Sequence, residues 1–309
     1  MLHQLLTRLR ATTMVGLDLG SALIKAVEVA QDEGRVLLRR CAFATVQEDD
    51  VAGALQRLVE TSGLAGSHVV VAVASPEVVV RPFHFPSMPR AELEQALALE
   101  AEQAMLNGHA IHEMAVDWHL LPPAEQSPLN GLLAVVPKPV LNARLALARS
   151  ARLAPTVVDV EGLALWNAYW ALVGRRAQAA RTVLLLNIGA RTTNLVIAKE
   201  PDQLMLARDF PLGTLALGKG QERDWQSEVT DSLSYARSAG GLRTLDVAYV
   251  TGGGSGPDTA RLLGAMVSAP IQIWNPLDYL VRDDESAAVE TSAGPLLSIA
   301  VGLALRRLP

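Results

Sequence analysis

Gly16-Leu17-Asp18-Leu19-Gly20-Ser21-Ala22-Leu23-Ile24-Lys25 decides how the rest of the chain is read. Apolar residues on both sides of Gly20-Ser21 place one strand before the turn and another after it. A glycine there lets backbone N–H groups approach an anion with no Cβ in the way, and the serine hydroxyl adds a donor. Asp18 closes the first strand and Lys25 lies on the second. A carboxylate so placed can hold a hydrated magnesium ion while the lysine meets a terminal phosphate as a point charge. One hairpin glycine carries little weight, but the pattern returns in Asn187-Ile188-Gly189-Ala190-Arg191-Thr192-Thr193, again a polar residue, an apolar residue and glycine after an apolar strand. A third loop, Thr251-Gly252-Gly253-Gly254-Ser255, ends a further strand. Together they predict two related α/β lobes with a cleft between them.

Outward from these turns, strands over 14–19, 24–30 and 35–44 make an antiparallel meander. An amphipathic helix over 51–62 follows, then a β-branched run over 69–80 broken near Ser75 and Pro76. Pro89 opens a helix reaching 106, and strands over 111–121 and 132–136 complete a strand-helix-strand-strand unit. A helix over 139–153, a strand over 155–160 and a helix over 161–173 lead to the second meander, at 183–188, 194–198 and 203–210. After it come a helix over 224–239, a strand over 246–250, a helix over 258–267, a short strand over 271–274 and a small-residue helix over 296–307. The domain expectation is a first lobe of 12–66 with 154–170 and 290–309, an inserted subdomain of 67–153, and a second lobe of 171–289.

Composition closes several functional classes. The 309 residues carry 27 basic and 32 acidic side chains, a net charge of −5, and 50% of them are hydrophobic. This is too apolar for a disordered chain and long enough for two cores. The acidic balance argues against a general nucleic-acid binder, and 4 Phe, 4 Tyr and 5 Trp scattered along the chain make poor stacking platforms. A single cysteine, Cys41, excludes an internal disulfide and a multi-thiolate metal site, and fits a reducing compartment as a small buried hydrophobe. No uncharged apolar run approaches the roughly 18 residues of a spanning helix. Leu2, Leu5, Leu6 and Leu9 read as a short packing helix rather than a signal peptide. Gly213 to Gly220 imitates a P-loop but ends in glycine where a Ser or Thr must bind magnesium. His109, His112 and Glu113 stand in an order that matches no zinc peptidase motif and read as surface polarity, as does the acidic turn at Asp283, Asp284 and Glu285.

The first turn resembles the first phosphate loop of the actin/Hsp70/sugar-kinase superfamily, the Asn187 turn the second, and the Thr251 loop its adenosine loop. Phe85-Pro86-Ser87-Met88-Pro89 with Glu100-Ala101-Glu102-Gln103, Val158-Asp159-Val160-Glu161 with Asn167-Ala168, and the ending Ala300-Val301-Gly302-Leu303-Ala304-Leu305-Arg306 are similar to the PilM-like type IV pilus assembly proteins, relatives of the cell-division actin FtsA. The resemblance spans about 14–307. It implies a two-lobed actin-like (ribonuclease H-like) α/β fold with an inserted strand-helix-strand-strand subdomain, and a cytoplasmic scaffold with ATP between its lobes. The scaffold would grip the N-terminal tail of a PilN-like inner-membrane protein, join the pilus motor or other assembly proteins, and reach the membrane only through that partner. Carried over, Asp18, Gly20, Ser21 and Lys25 face the phosphates from one lobe, and Asn187, Gly189, Arg191, Thr192 and Thr193 from the other. Gly252, Gly253 and Gly254 meet the adenosine, and Asp18, Asp159 and Glu161 the water shell of magnesium. No catalytic residue is assigned. Two departures weigh against turnover. Asn187 replaces the family's acidic residue and brings no charge for metal binding, and about ten residues between Gly213 and Asp224 stand where the family carries a helical subdomain holding the nucleoside. ATP binding is therefore expected to be weak or vestigial. The acidic helix with Glu92, Glu94, Glu100 and Glu102 is a candidate for steering a basic tail. The rival readings are an FtsA-like polymer-forming actin homologue and a sugar-kinase-like phosphotransferase; a related scaffold of type II secretion shares the leading class.

Overall fold

β1 (Thr13–Leu19), β2 (Leu23–Asp32) and β3 (Arg35–Thr45) form the expected meander, with Asp18 directly opposite Lys25. The structure, a computed structural model, describes residues 13–32, 35–104, 110–121, 128–176, 179–201, 203–282 and 290–306. The expected N-terminal helix, His109 and the acidic turn at 283–285 lie outside these residues. Asp50 starts α1 (Val51–Ser62) by accepting the Gly53 N–H at 2.8 Å, and Gly63, in the left-handed region at φ +68°, ends it. β4 (His68–Val73) then runs parallel to β1, and β8 (Ala154–Val160) parallel to β4. With β14 (Val281–Arg282) against β3, the first sheet has the order β14-β3-β2-β1-β4-β8.

The second meander, β9 (Thr182–Ile188), β10 (Thr193–Lys199) and β11 (Gln203–Phe210), repeats the first. β12 (Val247–Thr251) and β13 (Ile271–Ile273) extend it in parallel on one side. On the other, a single pair, Ala207 opposite Val80, joins it to the inserted strands β5 (Val79–Phe85), β7 (Leu129–Pro137) and β6 (Met114–Leu120). The sheets thus draw the inserted unit more narrowly than the expected 67–153. His68–Val73 lies inside the first sheet, and α3 (Lys138–Ser150) buries Ala148 in the same core as Leu17 and Val71. The 281–282 strand, expected in the second lobe, also joins the first sheet. β4 reads as part of the insert in sequence because its β-branched run continues almost unbroken into β5.

Layers follow from which faces are apolar. α1 and α3 cover one side of the first sheet through Leu55, Leu58 and Ala148. α4 (Glu161–Leu172) and α8 (Ser298–Leu305) lie between the sheets, where Val27, Val29, Leu165, Tyr169, Val183, Leu185, Ala300 and Leu303 share one core. α6 (Glu222–Ser238) and α7 (Pro257–Gly264) cover the far face of the second sheet around Trp225 and Leu233, after the one-turn helix α5 (Thr214–Leu217). α2 (Arg90–Ala104) packs Leu93, Leu97 and Ala101 on the inserted sheet against Phe83, Leu133 and Val135. The small residues of α8 have a steric cause. A Cβ on Gly302 would come 1.8 Å from the Ala164 carbonyl of α4, and one on Gly16 would come 2.0 Å from the Ala300 carbonyl. Cys41 packs against the central core, and burial pushes its thiol up to about 12.

Candidate functional site

Three carboxylates converge where the lobes meet. β1 brings Asp18 from the first sheet; Lys25 neutralises it at 2.5 Å, both side chains being largely buried. β11 brings Asp209 from the second sheet, and Glu161 opens α4 between them. Cross-strand register sets the rest: Asn187 lies opposite Asn194, which lies opposite Asp209. Asn187 Nδ2 donates to Asn194 Oδ1 at 2.7 Å, and Asn194 Nδ2 donates to Asp209 Oδ1 at 2.8 Å and to Glu161 Oε2 at 3.1 Å. Burial, then repulsion from Asp18 and Asp209, pushes the Glu161 carboxyl up to about 7, with Arg144 and the Asn194 hydrogen bond opposing. Burial also raises Asp209 to about 6.

The loops around this cluster are in place, and several donors of the second and third loops bond within the protein. The Gly189 N–H donates to the Thr192 carbonyl, closing the second turn, and the Gly189 carbonyl accepts from Thr214. Gly252, at φ +86°, donates to the Pro295 carbonyl, and a Cβ there would come 2.6 Å from Asn187 Oδ1. Gly254 donates to the Ile188 carbonyl. Gly253 has room above it, with only Leu296 near. Arg191 reaches across to pair with Asp49 in the first lobe.

Two expected site residues belong elsewhere. Thr193 is fully buried, accepts the Trp225 indole N–H at 3.1 Å and donates to the Leu212 carbonyl at 2.6 Å, so it anchors α6 rather than facing a phosphate. Asp159 is two residues from Glu161 but its carboxylate pairs with Arg306 at 3.1 Å, away from Asp18; burial raises its pKa against that pairing. Among the described residues no three Asp, Glu, His or Cys side chains are set to hold a metal ion. The carboxylate cluster is electrostatically suited to a cation, yet the Asn194 amide and the Lys25 ammonium already occupy oxygens of it. With those oxygens already paired, the fit to a magnesium ion is poor in this arrangement. Asp209 and Asn194 were missed from sequence, although both follow from the antiparallel register once Asn187 is placed.

A separate groove of about 720 Å³ opens on the other side of β8. One wall is the face of the inserted sheet carrying Ala115, Asp117, His119, Leu132, Ala134 and Val136; the opposite wall comprises β8 and the α4 residues Leu163, Trp166 and Trp170. Leu141 and Leu145 of α3 close one side, and Asp159, Arg306 and Asn167 supply polar groups within it. The acidic helix α2 does not line it. Leu133 and Val135 face α2 while Leu132 and Ala134 face the groove, so Glu92, Glu94, Glu100 and Glu102 stand behind the sheet. His112 and Glu113 form a short 3-10 turn with Lys138 donating to the His112 carbonyl.

Residues 16–220 match the family described as type IV pilus assembly protein PilM. Among solved structures, a PilM-PilN type IV pilus biogenesis complex is similar at 24% identity with a TM-score of 0.78, covering 95% of this chain and 98% of that one. A Bacteroides thetaiotaomicron protein with an actin-like ATPase fold and unknown function is similar at 13% identity, TM-score 0.51, over 85% and 91% of the two chains. The ethanolamine utilization protein EutJ from Carboxydothermus hydrogenoformans is similar at 15% identity, TM-score 0.50, over 95% and 89%. The fold is thereby the α/β actin-like ATPase fold with two mixed sheets.

Proposed function

The chain belongs to the type IV pilus assembly protein PilM family, and on that premise we propose that it is a cytoplasmic scaffold at the inner-membrane face which holds the N-terminal tail of a PilN-like membrane protein in the groove beside β8. The observation that carries this reading is the groove itself. It is walled by aliphatic and indole surface, furnished with a few polar groups, and distinct from the interlobe cleft. No helix of the described residues is long and apolar enough to cross a membrane, which agrees with attachment through a partner. Type IV pilus motor and other assembly proteins would then be reached through the same complex.

The interlobe cleft, on this proposal, binds ATP weakly and does not turn it over. A nucleotide with magnesium must displace Lys25 from Asp18 and the Asn194 amide from Glu161 and Asp209, and Asn187 offers no charge in return. The expected dissociation constant is on the order of hundreds of micromolar. A low-micromolar constant abolished by Asp18→Ala refutes this part. The scaffold reading is tested by pull-down of the cytoplasmic tail of a PilN-like membrane protein, with and without nucleotide. Retention supports the reading, and absence of binding under both conditions sinks it.

A further inference from the structure

The end of the second lobe away from the cleft carries charge of the opposite sign to the chain as a whole. β9 and β12 start there and run in parallel to the turns at Gly189 and Gly252. Three segments make this end: 174–182 after α4, 199–203 between β10 and β11, and 236–246 from the close of α6 to β12. They hold six bases and three acids, a net charge of +3 where the whole chain has −5. Pairing brings the segments together. Lys199 lies opposite Thr182, the Asp246 carboxylate accepts the Thr182 N–H at 2.7 Å, and the Leu242 N–H bonds the Ala236 carbonyl. Arg176 and Arg181 both lie within electrostatic reach of the Tyr279 phenol.

Acids of this end are spent within it, while most of its bases are not. Glu200, 4% exposed, accepts from the Tyr169 hydroxyl at 2.6 Å and from the Arg181 N–H at 3.0 Å, and pairs with the Arg181 guanidinium. Asp246 is engaged at Thr182. Arg175, Arg176, Lys199, Arg237 and Arg243 are exposed, and none of them forms an ion pair with a described residue. Elsewhere in the same lobe the surface arginines Arg191, Arg208 and Arg261 each hold a carboxylate. Between the five cations the exposed residues are small, among them Ala179, Ala180, Ser238, Ala239 and Thr244. A protein partner needs an apolar centre in its interface, which these residues do not offer, whereas a layer of anionic headgroups asks only for cations spread over a surface. Tyr235, in the last turn of α6 and 54% exposed, adds a ring with a polar tip of the kind that settles at headgroup depth.

We propose that this end of the second lobe rests on an anionic membrane surface, its five unpaired cations facing the lipid phosphates. Each cation at such a surface contributes about five-fold to partitioning, and the attraction fades over a Debye length of about 8 Å at physiological salt. Attachment through a partner brings the chain to the membrane; this contact decides which end faces it and turns the cleft away from the bilayer.

The test is co-sedimentation of the full chain with vesicles of phosphatidylcholine, with and without phosphatidylglycerol, no partner peptide being present. The chain should pellet with the anionic vesicles alone, and less as salt is raised past about 0.15 M. Arg175→Glu combined with Arg176→Glu should lower the partition coefficient about ten-fold or more, with circular dichroism unchanged because neither side chain is paired. The same charge change beside the cleft, Lys219→Glu combined with Arg223→Glu, should leave it within about two-fold, both residues being exposed at the opposite end. An equal loss in the two double variants, equal pelleting with neutral vesicles, or no pelleting with anionic vesicles at low salt overturns the proposal. The tail reading is decided separately, by the pull-down.

Discussion

Replacing Glu161 by glutamine should stabilise the protein, and only above mildly acidic pH. In the folded chain burial and the neighbouring carboxylates push the Glu161 carboxyl up to about 7, from 4.5 for the free group. Between those values the native state holds a proton that the unfolded chain has released, so stability falls as pH rises through this window, at about 1.4 kcal/mol for each pH unit. The loss is complete above the folded value and amounts to ~3 kcal/mol. Glutamine cannot ionise, but its carbonyl can still accept the Asn194 N–H. Wild type and Glu161→Gln should therefore be equally stable near pH 4.5 and differ by ~3 kcal/mol at pH 8, the variant being the more stable. Asp209 contributes a similar slope to both proteins and cancels in the difference. The fully buried Trp225 and Trp274 provide the fluorescence signal for urea unfolding across this range. A difference that does not change with pH, or a glutamine variant less stable at pH 8, would refute the argument that three carboxylates crowd the cleft.

Gly302→Val should cost about 3 kcal/mol or more in thermal or urea unfolding, because the new Cβ meets a backbone carbonyl of α4 at 1.8 Å and neither helix can yield alone. Arg191→Ala should change stability by less than about 1 kcal/mol, since Arg191 and Asp49 are 55% and 72% exposed and an ion pair so solvated is weak; a larger loss would mean that this contact holds the lobes together. Trp170→Ala should weaken tail binding by about ten-fold, as it removes an indole stacked on Trp166 in the groove wall, and calorimetry with the tail peptide measures it.

The fold was legible wherever a pattern was local. The two meanders declared themselves by glycine turns between apolar strands, and α1 was readable to the residue because Asp50 and Gly63 mark its ends. The division into units was less legible. β4 and β5 form one β-branched run in sequence, and only the pairing of β4 with β1 and β8 separates them. The site shows the same contrast. Asp18, Lys25 and Asn187 flank the turns that motif reading picks out, and Glu161 stands at the start of α4 near Asp18 and Asp209. Asp159 was grouped with them because sequence distance hides direction: on an extended strand running into a helix, nearby carboxylates can point to opposite sides. Thr193 was misread for a similar reason, since a threonine after a phosphate-loop glycine looks like a donor until Trp225 is seen bonded to it. The groove left no motif, because its walls come from several distant segments that only the fold assembles.

That opposition of Asp159 and Glu161 has a mechanical consequence. Only Val160 separates the residue that pairs with Arg306 in the groove from the residue that meets Asn194 in the cleft. The span is about 7 Å of extended chain, too short to absorb a displacement. The end of β8 therefore carries a group of the groove and a group of the cleft on one short segment. By reciprocity, whatever free energy the groove's occupant adds to or removes from the protonation of Glu161 must return as an equal dependence of occupancy on pH.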